Sequence, residues 1–414
     1  DEAQKLFDDG QTLLKRIISE KLLTAKGVIG IHPAYAENES VFITNEMAFK
    51  FPRQTVDKGA NKPNYCLADF IAPIDDFIGT FAVTTGHGIE AIVKEFEDKW
   101  SSFTGVKHSI AVTSCTTALH LSLAALGIKA DDEVIVPAFT WIATANVVEH
   151  LNAKVVFCDI DLRTFNINVN QIEEKITSKT KAIIPVHLFG LSADMSPIME
   201  IAKKYKLWII EDAACGFGAK YHDKHVGTIG DTGCFSFHPR KAITTGEGGM
   251  ITTNNDDLAE KMRSMRDHGA AMSDFQRHHG AKPYLLSEHP YAGYNYRMTD
   301  IQASLGVTQM DRADKIIIER QDLAKSYNNA LSDLDLFQLP YQNLVYEHGY
   351  QSYPCIYDKK NVNLGNIKNV NDGRNAFMDK LQRHGVSTRP ATHAVHMLQY
   401  YKDKYDIQPE DYPS

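Results

Sequence analysis

What this 414-residue chain lacks narrows its function before any motif is considered. It has no basic excess: 44 lysines and arginines stand against 52 aspartates and glutamates, a formal charge of −8. That balance excludes a general polyanion binder, so nucleic acid is not an expected partner, although a local basic patch could still hold a phosphate. No apolar run approaches the roughly 18 residues of a membrane span, and the acidic start DEAQKLFDDG is the opposite of a signal peptide's basic first segment. No membrane partner is expected. Cysteine is sparse and scattered (Cys66, Cys115, Cys158, Cys215, Cys234, Cys355), without a CxxC pair or a zinc-type Cys/His spacing. These cysteines read as reduced thiols in a cytoplasmic protein with no metal site. Repeats and low-complexity tracts are missing as well. The 43% hydrophobic content is ample for real cores, and the length suits two or three domains of about 100 to 200 residues each.

Two textures are present. Residues 1–92 combine a helical pattern, AQKLFDDGQTLLKRIISEKLL, with short strand-like runs such as GVIGIHPAY, SVFIT and NYCLADFIAP. From about residue 93, short β-branched runs alternate with helical ones. The predicted strands are HSIAVT (108–113), EVIVP (133–137), KVVFC (154–158), KAIIPV (181–186), LWIIED (207–212), CFSFH (234–238) and GMITT (249–253). Strands apolar on both faces and separated by helices predict an α/β fold with a mostly parallel sheet covered on both sides. Ligands of such sheets bind at the carboxyl ends of the strands. A long helical pattern over 301–331 closes the alternation, and a smaller mixed segment follows.

The loops after these strands carry the chemistry. Ser114, Thr116 and Thr117 open a helix and offer hydroxyls and backbone N–H groups to an anion, or serve only as an N-cap. Trp141, near a strand end, could cover a planar ring or pack in the core. Asp212 ends an apolar strand, where a carboxylate is costly unless paired, though an N-cap role is equally open. Ser236 lies in the next predicted strand, and Lys241 follows five positions on, on the bend before the glycines of GEGG (246–249). A phosphate needs a helix tip and hydroxyls, a pyridine ring a stacking face, its nitrogen a carboxylate, and an aldehyde an amine. The set as a whole therefore reads as a pyridoxal 5'-phosphate site.

VKEFEDKWSSFTGVKHSIAVTSCTTALHLSLAALGI, DEVIVPAFTWIATANVV, IIPVHLFGLSADM, IEDAACGFGA, SFHPRKAITTGEGGMI and GYNYRMTDIQASLG, in that order and spacing, resemble the DegT/DnrJ/EryC1/StrS sugar aminotransferase family. The resemblance implies the fold of the aspartate aminotransferase superfamily (fold type I): a PLP-binding large domain over 93–315 and a small α+β domain over 316–414, truncated at its end. It makes Lys241 the lysine that condenses with the cofactor aldehyde and later moves a proton, and Asp212 the partner of the pyridinium nitrogen. Trp141 becomes the stacking residue. Thr116, the backbone around Cys115 and Thr117, and Ser236 become the phosphate cradle. Asn295 matches the position that reaches the cofactor phosphate of a neighbouring subunit, implying a homodimer with shared sites. His187 faces the substrate or is packed, and Arg389, in STRPATHAVHM, borders the substrate entrance or lies on the surface. Two positions depart from the common pattern: Cys115 stands where glycine is frequent, and Cys215 where many members carry a Gln or His that bonds the ring hydroxyl. Lysine at 241, rather than the histidine of related sugar dehydratases, favours amino transfer. The implied acceptor is a nucleotide-linked keto-deoxysugar and the donor an amino acid such as glutamate, in polysaccharide or glycan biosynthesis.

LFDDGQTLLKRIISEKLLTAKGVIGIHPA, NYCLADFIAP and DDFIGTFAVTTGHGIE resemble a different family, the activation domain of cobalamin-dependent methionine synthase, which binds S-adenosylmethionine. The Arg-Pro-rich, Gly-Tyr-containing motif with most of that ligand's contacts is not found here, so no binding residues are carried over. The join near 86–95 and the missing ends of both modules raise two alternatives: a reactivation module that binds S-adenosylmethionine, and an inactive fusion remnant. A recombined or misassembled reading frame would explain such a join.

Overall fold

The structure is a computed structural model, and it describes residues 91–271, 286–357, 362 and 365–413, together with the backbone pairing of Tyr35–Ala36 with Glu39–Ser40. The activation-like domain expected over 1–92 falls almost entirely outside the described residues.

All seven predicted runs form strands of one sheet. They are β1 (His108–Val112), β2 (Glu133–Pro137), β3 (Lys154–Cys158), β4 (Thr180–Ile183), β5 (Trp208–Asp212), β6 (Thr232–Ser236) and β7 (Gly249–Thr253). Their spatial order is β1-β7-β6-β5-β4-β2-β3. Only β7 runs antiparallel to its neighbours; the β6–β5, β5–β4, β4–β2 and β2–β3 pairings are parallel. From β2 the chain steps outward to β3 and then back across to β4, β5, β6 and β7, and ligands of such sheets bind outside the carboxyl ends of the strands.

Burial on both faces follows from the alternation along each strand. Val134 and Val136 of β2, Ala182 of β4 and Ile210 of β5 pack into one core, whereas Ile135, Ile183 and Ile209 pack into another on the opposite face. The first core holds the helices α1 (Cys115–Ala125), α2 (Ala143–Glu149) and α4 (Asp256–Arg266); the second holds α3 (Met195–Tyr205). Helix α1 is apolar almost all round because it lies between the sheet and other helices.

By compactness the chain divides into two units. One comprises Thr84–Ile317, Tyr341–Gln351 and Thr392–Ser414; the other includes Ile318–Pro340 and Ser352–Ala391. The sequence reading assigns 341–351 and 392–414 to the small domain. Both segments pack with the sheet unit instead, because they pair with it: Tyr346–Glu347 lies antiparallel to Lys220–Tyr221, and His393–Ala394 to Phe139–Thr140. Val395 and Tyr401 are fully buried in the first core. The other unit has its own core of Tyr327, Leu331, Leu381 and Val386, with Phe337 and Phe377 against it. No helix among the described residues is long and apolar enough to cross a membrane.

Candidate active site

Three strand ends and one helix tip converge at the carboxyl edge of the sheet. Asp212 is the last residue of β5 and is 4% exposed. Thr144, in the first turn of α2, donates its hydroxyl to Asp212 Oδ2 at 2.7 Å, and the Ala214 N–H donates to Oδ1 at 3.1 Å. Burial pushes the Asp212 carboxyl above the usual carboxylate range, and these two donors with the nearby Lys241 offset it only in part. A buried acid with that residual demand suits a protonated ring nitrogen.

Lys241 sits on the turn after β6. That turn is fixed from below by aromatic packing, since Phe235 and Phe237 lie 4.9 and 5.1 Å from the buried Trp100 ring. It is fixed from the side by helix α5 (Asp300–Met310), whose Gln309 bonds both the N–H and the carbonyl of Thr244, while Gln302 Nε2 donates to the Glu247 carbonyl at 2.8 Å. The amine reaches back towards β5, and Nζ donates to the Cys215 sulfur at 3.1 Å. Burial alone would lower the Lys241 pKa, but Cys215, Cys115 and Asp212 outweigh it and hold the ammonium above the usual lysine range.

The tip of α1 is a closed capping box. Ser114 Oγ accepts from the Thr117 N–H at 3.1 Å, and Thr117 Oγ1 accepts from the Ser114 N–H at 3.0 Å. Thr117 is therefore spent on the cap through its hydroxyl, whereas Thr116 has no side-chain partner among the described residues. Ser236 Oγ accepts only a long 3.4 Å bond from the His238 N–H. Cys115 turns inward, with its sulfur 3.4 Å from the Cys234 carbonyl and 4.0 Å from Asp212 Oδ1, and burial pushes its thiol well up. The GEGG glycines bring β7 against this tip. Gly246 takes φ +82°, and a Cβ on Gly249 would lie 2.5 Å from the Ser114 oxygen and 2.7 Å from the Cys115 nitrogen.

Trp141 is not a core residue: it is 55% exposed, with His393 edge-on at 5.3 Å, three residues before the Thr144 that bonds Asp212. His187, in contrast, is fully buried and has no exposed ring atom to offer a substrate. Its Nδ1 accepts from the Ala193 N–H at 3.1 Å and its Nε2 meets Glu211 at 2.8 Å. Because Nδ1 accepts, Nε2 carries the proton and donates. Glu211 also accepts from the N–H groups of Gly227, Ile229 and Gly230 at 2.6 to 2.7 Å, on the face of the sheet opposite Asp212. Asn295 is exposed, on backbone bridged to Asp267. Arg389 belongs to the other unit, is exposed, and donates to the Thr388 carbonyl at 2.9 Å. The five described cysteines are free thiols, and no cluster of His, Cys, Asp or Glu among the described residues is arranged for a metal. Sequence reading missed Thr144, Ala214 and Glu211. Of these Thr144 had a signal, one helical turn beyond Trp141.

A mostly parallel doubly wound sheet with a lysine, a buried aspartate and a helix tip at one edge defines the fold type I class of pyridoxal-phosphate enzymes. Within it, the chain belongs to the DegT/DnrJ/EryC1/StrS aminotransferase family, whose profile matches residues 81–414. The relatives found in it are pyridoxal-phosphate-dependent sugar aminotransferases. The chain is 42% identical over 310 residues to GDP-perosamine synthase of Caulobacter vibrioides, covering 75% of this chain and 78% of that protein. It is 35% identical over 323 residues to the spore coat polysaccharide biosynthesis protein SpsC of Bacillus subtilis, covering 78% and 81%. A putative sugar aminotransferase of Streptococcus pneumoniae, Spr1654, solved in its PMP form, superposes with TM-score 0.73 at 26% identity, covering 82% and 88%; its PLP form has also been solved. The activation domain of vitamin B12 dependent methionine synthase matches residues 1–119, overlapping the aminotransferase match.

Proposed function

We propose that this sugar aminotransferase moves an amino group from glutamate to the carbonyl carbon of a nucleotide-linked keto-deoxysugar. The observation that carries the reading is the Lys241 amine held beside a buried, incompletely compensated Asp212 at the carboxyl edge of the sheet. Pyridoxal phosphate, when bound, supplies an aldehyde for the donor amine and a ring that takes up the electron pair released at the donor's Cα.

The chain's own residues do the rest. Thr116, Ser236 and the free N–H groups at the tip of α1 hold the phosphate. Asp212 keeps the ring nitrogen protonated, and Thr144 and Ala214 keep Asp212 in place. The exposed Trp141 indole covers one ring face. Lys241 carries the proton between the donor's Cα and the cofactor. Exposed Asn295 reaches a second copy's phosphate, so the working form is a homodimer. Relatives whose names include GDP-perosamine synthesis and spore coat polysaccharide biosynthesis support a nucleotide-sugar acceptor.

The test is incubation with pyridoxal phosphate, glutamate and a panel of nucleotide-linked keto-deoxysugars. The expected products are 2-oxoglutarate and a sugar in which an amine replaces the carbonyl oxygen. A dehydrated sugar without added nitrogen would instead place the enzyme among the dehydratases.

A further inference from the structure

Cys215 lies on the turn after β5 and Lys241 on the turn after β6, yet the Lys241 Nζ and Cys215 Sγ are 3.1 Å apart. Both side chains are half-buried. Asp212 at the end of β5, Cys115 at the tip of α1 and His238 on the lysine's own turn are the other titratable groups that act on the amine or feel its charge. A thiol differs in kind from an amide at this position. A cysteine ordinarily ionises below a lysine, so a close pair can pass through a thiolate–ammonium state and exchange its proton internally. An amide does not ionise in this range.

We propose that Cys215 is the positioning residue and proton partner of Lys241: its sulfur holds the ammonium beside Asp212 and accepts the proton when the free amine is required. The inference rests on the reading of Lys241 as the cofactor-binding amine. The step balances without a further reactant. The thiolate sulfur gains the proton that the ammonium loses, leaving a neutral thiol and an amine with its lone pair free. The raised position of the amine, against the pull of its own burial, agrees with the contact.

The experiment uses cofactor-free protein, so neither the sugar nor the cofactor enters the result. Lys241 is labelled with trace acetic anhydride across a pH series and quantified by peptide mass, in the parent, Cys215→Ala and Cys215→Ser. Serine keeps a hydrogen-bond acceptor of similar size but does not ionise in this range. In both variants the labelling midpoint is expected to move to lower pH, raising labelling at pH 9 by about tenfold, the factor for one unit. Coupling is reciprocal, so Lys241→Met is expected to slow iodoacetamide alkylation of Cys215 at pH 8 by a comparable factor. A folded serine variant with the parent's midpoint would overturn the proton role, as would alkylation indifferent to Lys241. Intact coupling in a protein that develops no cofactor band when pyridoxal phosphate is afterwards added would instead sink the functional reading and leave the pair standing.

Discussion

The Asp212 carboxylate is a cost that the folded chain carries for its chemistry. Its pKa is raised by burial, whereas in the unfolded chain it titrates at an ordinary value near about 3.9. As pH rises from about 4, the unfolded chain releases a proton that the folded chain retains, so stability falls until Asp212 ionises in the folded state too, and the penalty is constant above that point. Asp212→Asn keeps the shape and the acceptor for the Ala214 N–H without the charge. Cofactor-free Asp212→Asn is therefore expected to have a higher urea midpoint than the parent at pH 7 and an equal one below about pH 4. A variant less stable than the parent at pH 7 would show that the carboxylate is well compensated even without a cofactor. Glu211, one residue earlier, is the contrasting case. It faces the other side of the sheet, takes three backbone N–H groups and the His187 ring, and serves the fold.

At the scale of elements, the site depends on how close the tip of α1 comes to β7. Gly249 allows that approach, because the atoms a Cβ would strike are backbone atoms of Ser114 and Cys115 that cannot yield without opening the capping box. Gly249→Ala is expected to cost about 1–3 kcal/mol of stability by overpacking and to weaken pyridoxal phosphate binding, read by denaturant titration and by cofactor absorbance. Unchanged stability and affinity would mean that the tip is free to shift. The elements themselves were legible in the sequence. Seven short β-branched runs became seven strands because residues apolar on both faces have no other place to go. The contacts between them were not. Thr144 and Asp212 are separated by 68 positions, and Lys241 and Cys215 by 26, so each contact exists only once strand order is fixed. Likewise, Trp141 as an exposed face and His187 as a packed ring could not be told apart by residue type, since either aromatic suits either place.

For the whole molecule, fold and candidate site lie in one unit that reaches beyond the alternating strands and helices to recruit Tyr341–Gln351 and Thr392–Ser414. Sequence read these returning segments as part of the small domain because they lack the strand and helix periodicity of the sheet, and two-residue pairings leave little trace in composition. The central claim is that one amine of this unit, Lys241, takes the cofactor aldehyde. The most direct measurement is borohydride reduction of the protein saturated with pyridoxal phosphate, followed by peptide mass mapping beside Lys241→Ala. The expected result is a visible band that reduction abolishes, a pyridoxyl group on the peptide containing Lys241, and neither in the variant. A pyridoxyl group on another lysine, or a folded Lys241→Ala protein that keeps the band, would contradict it.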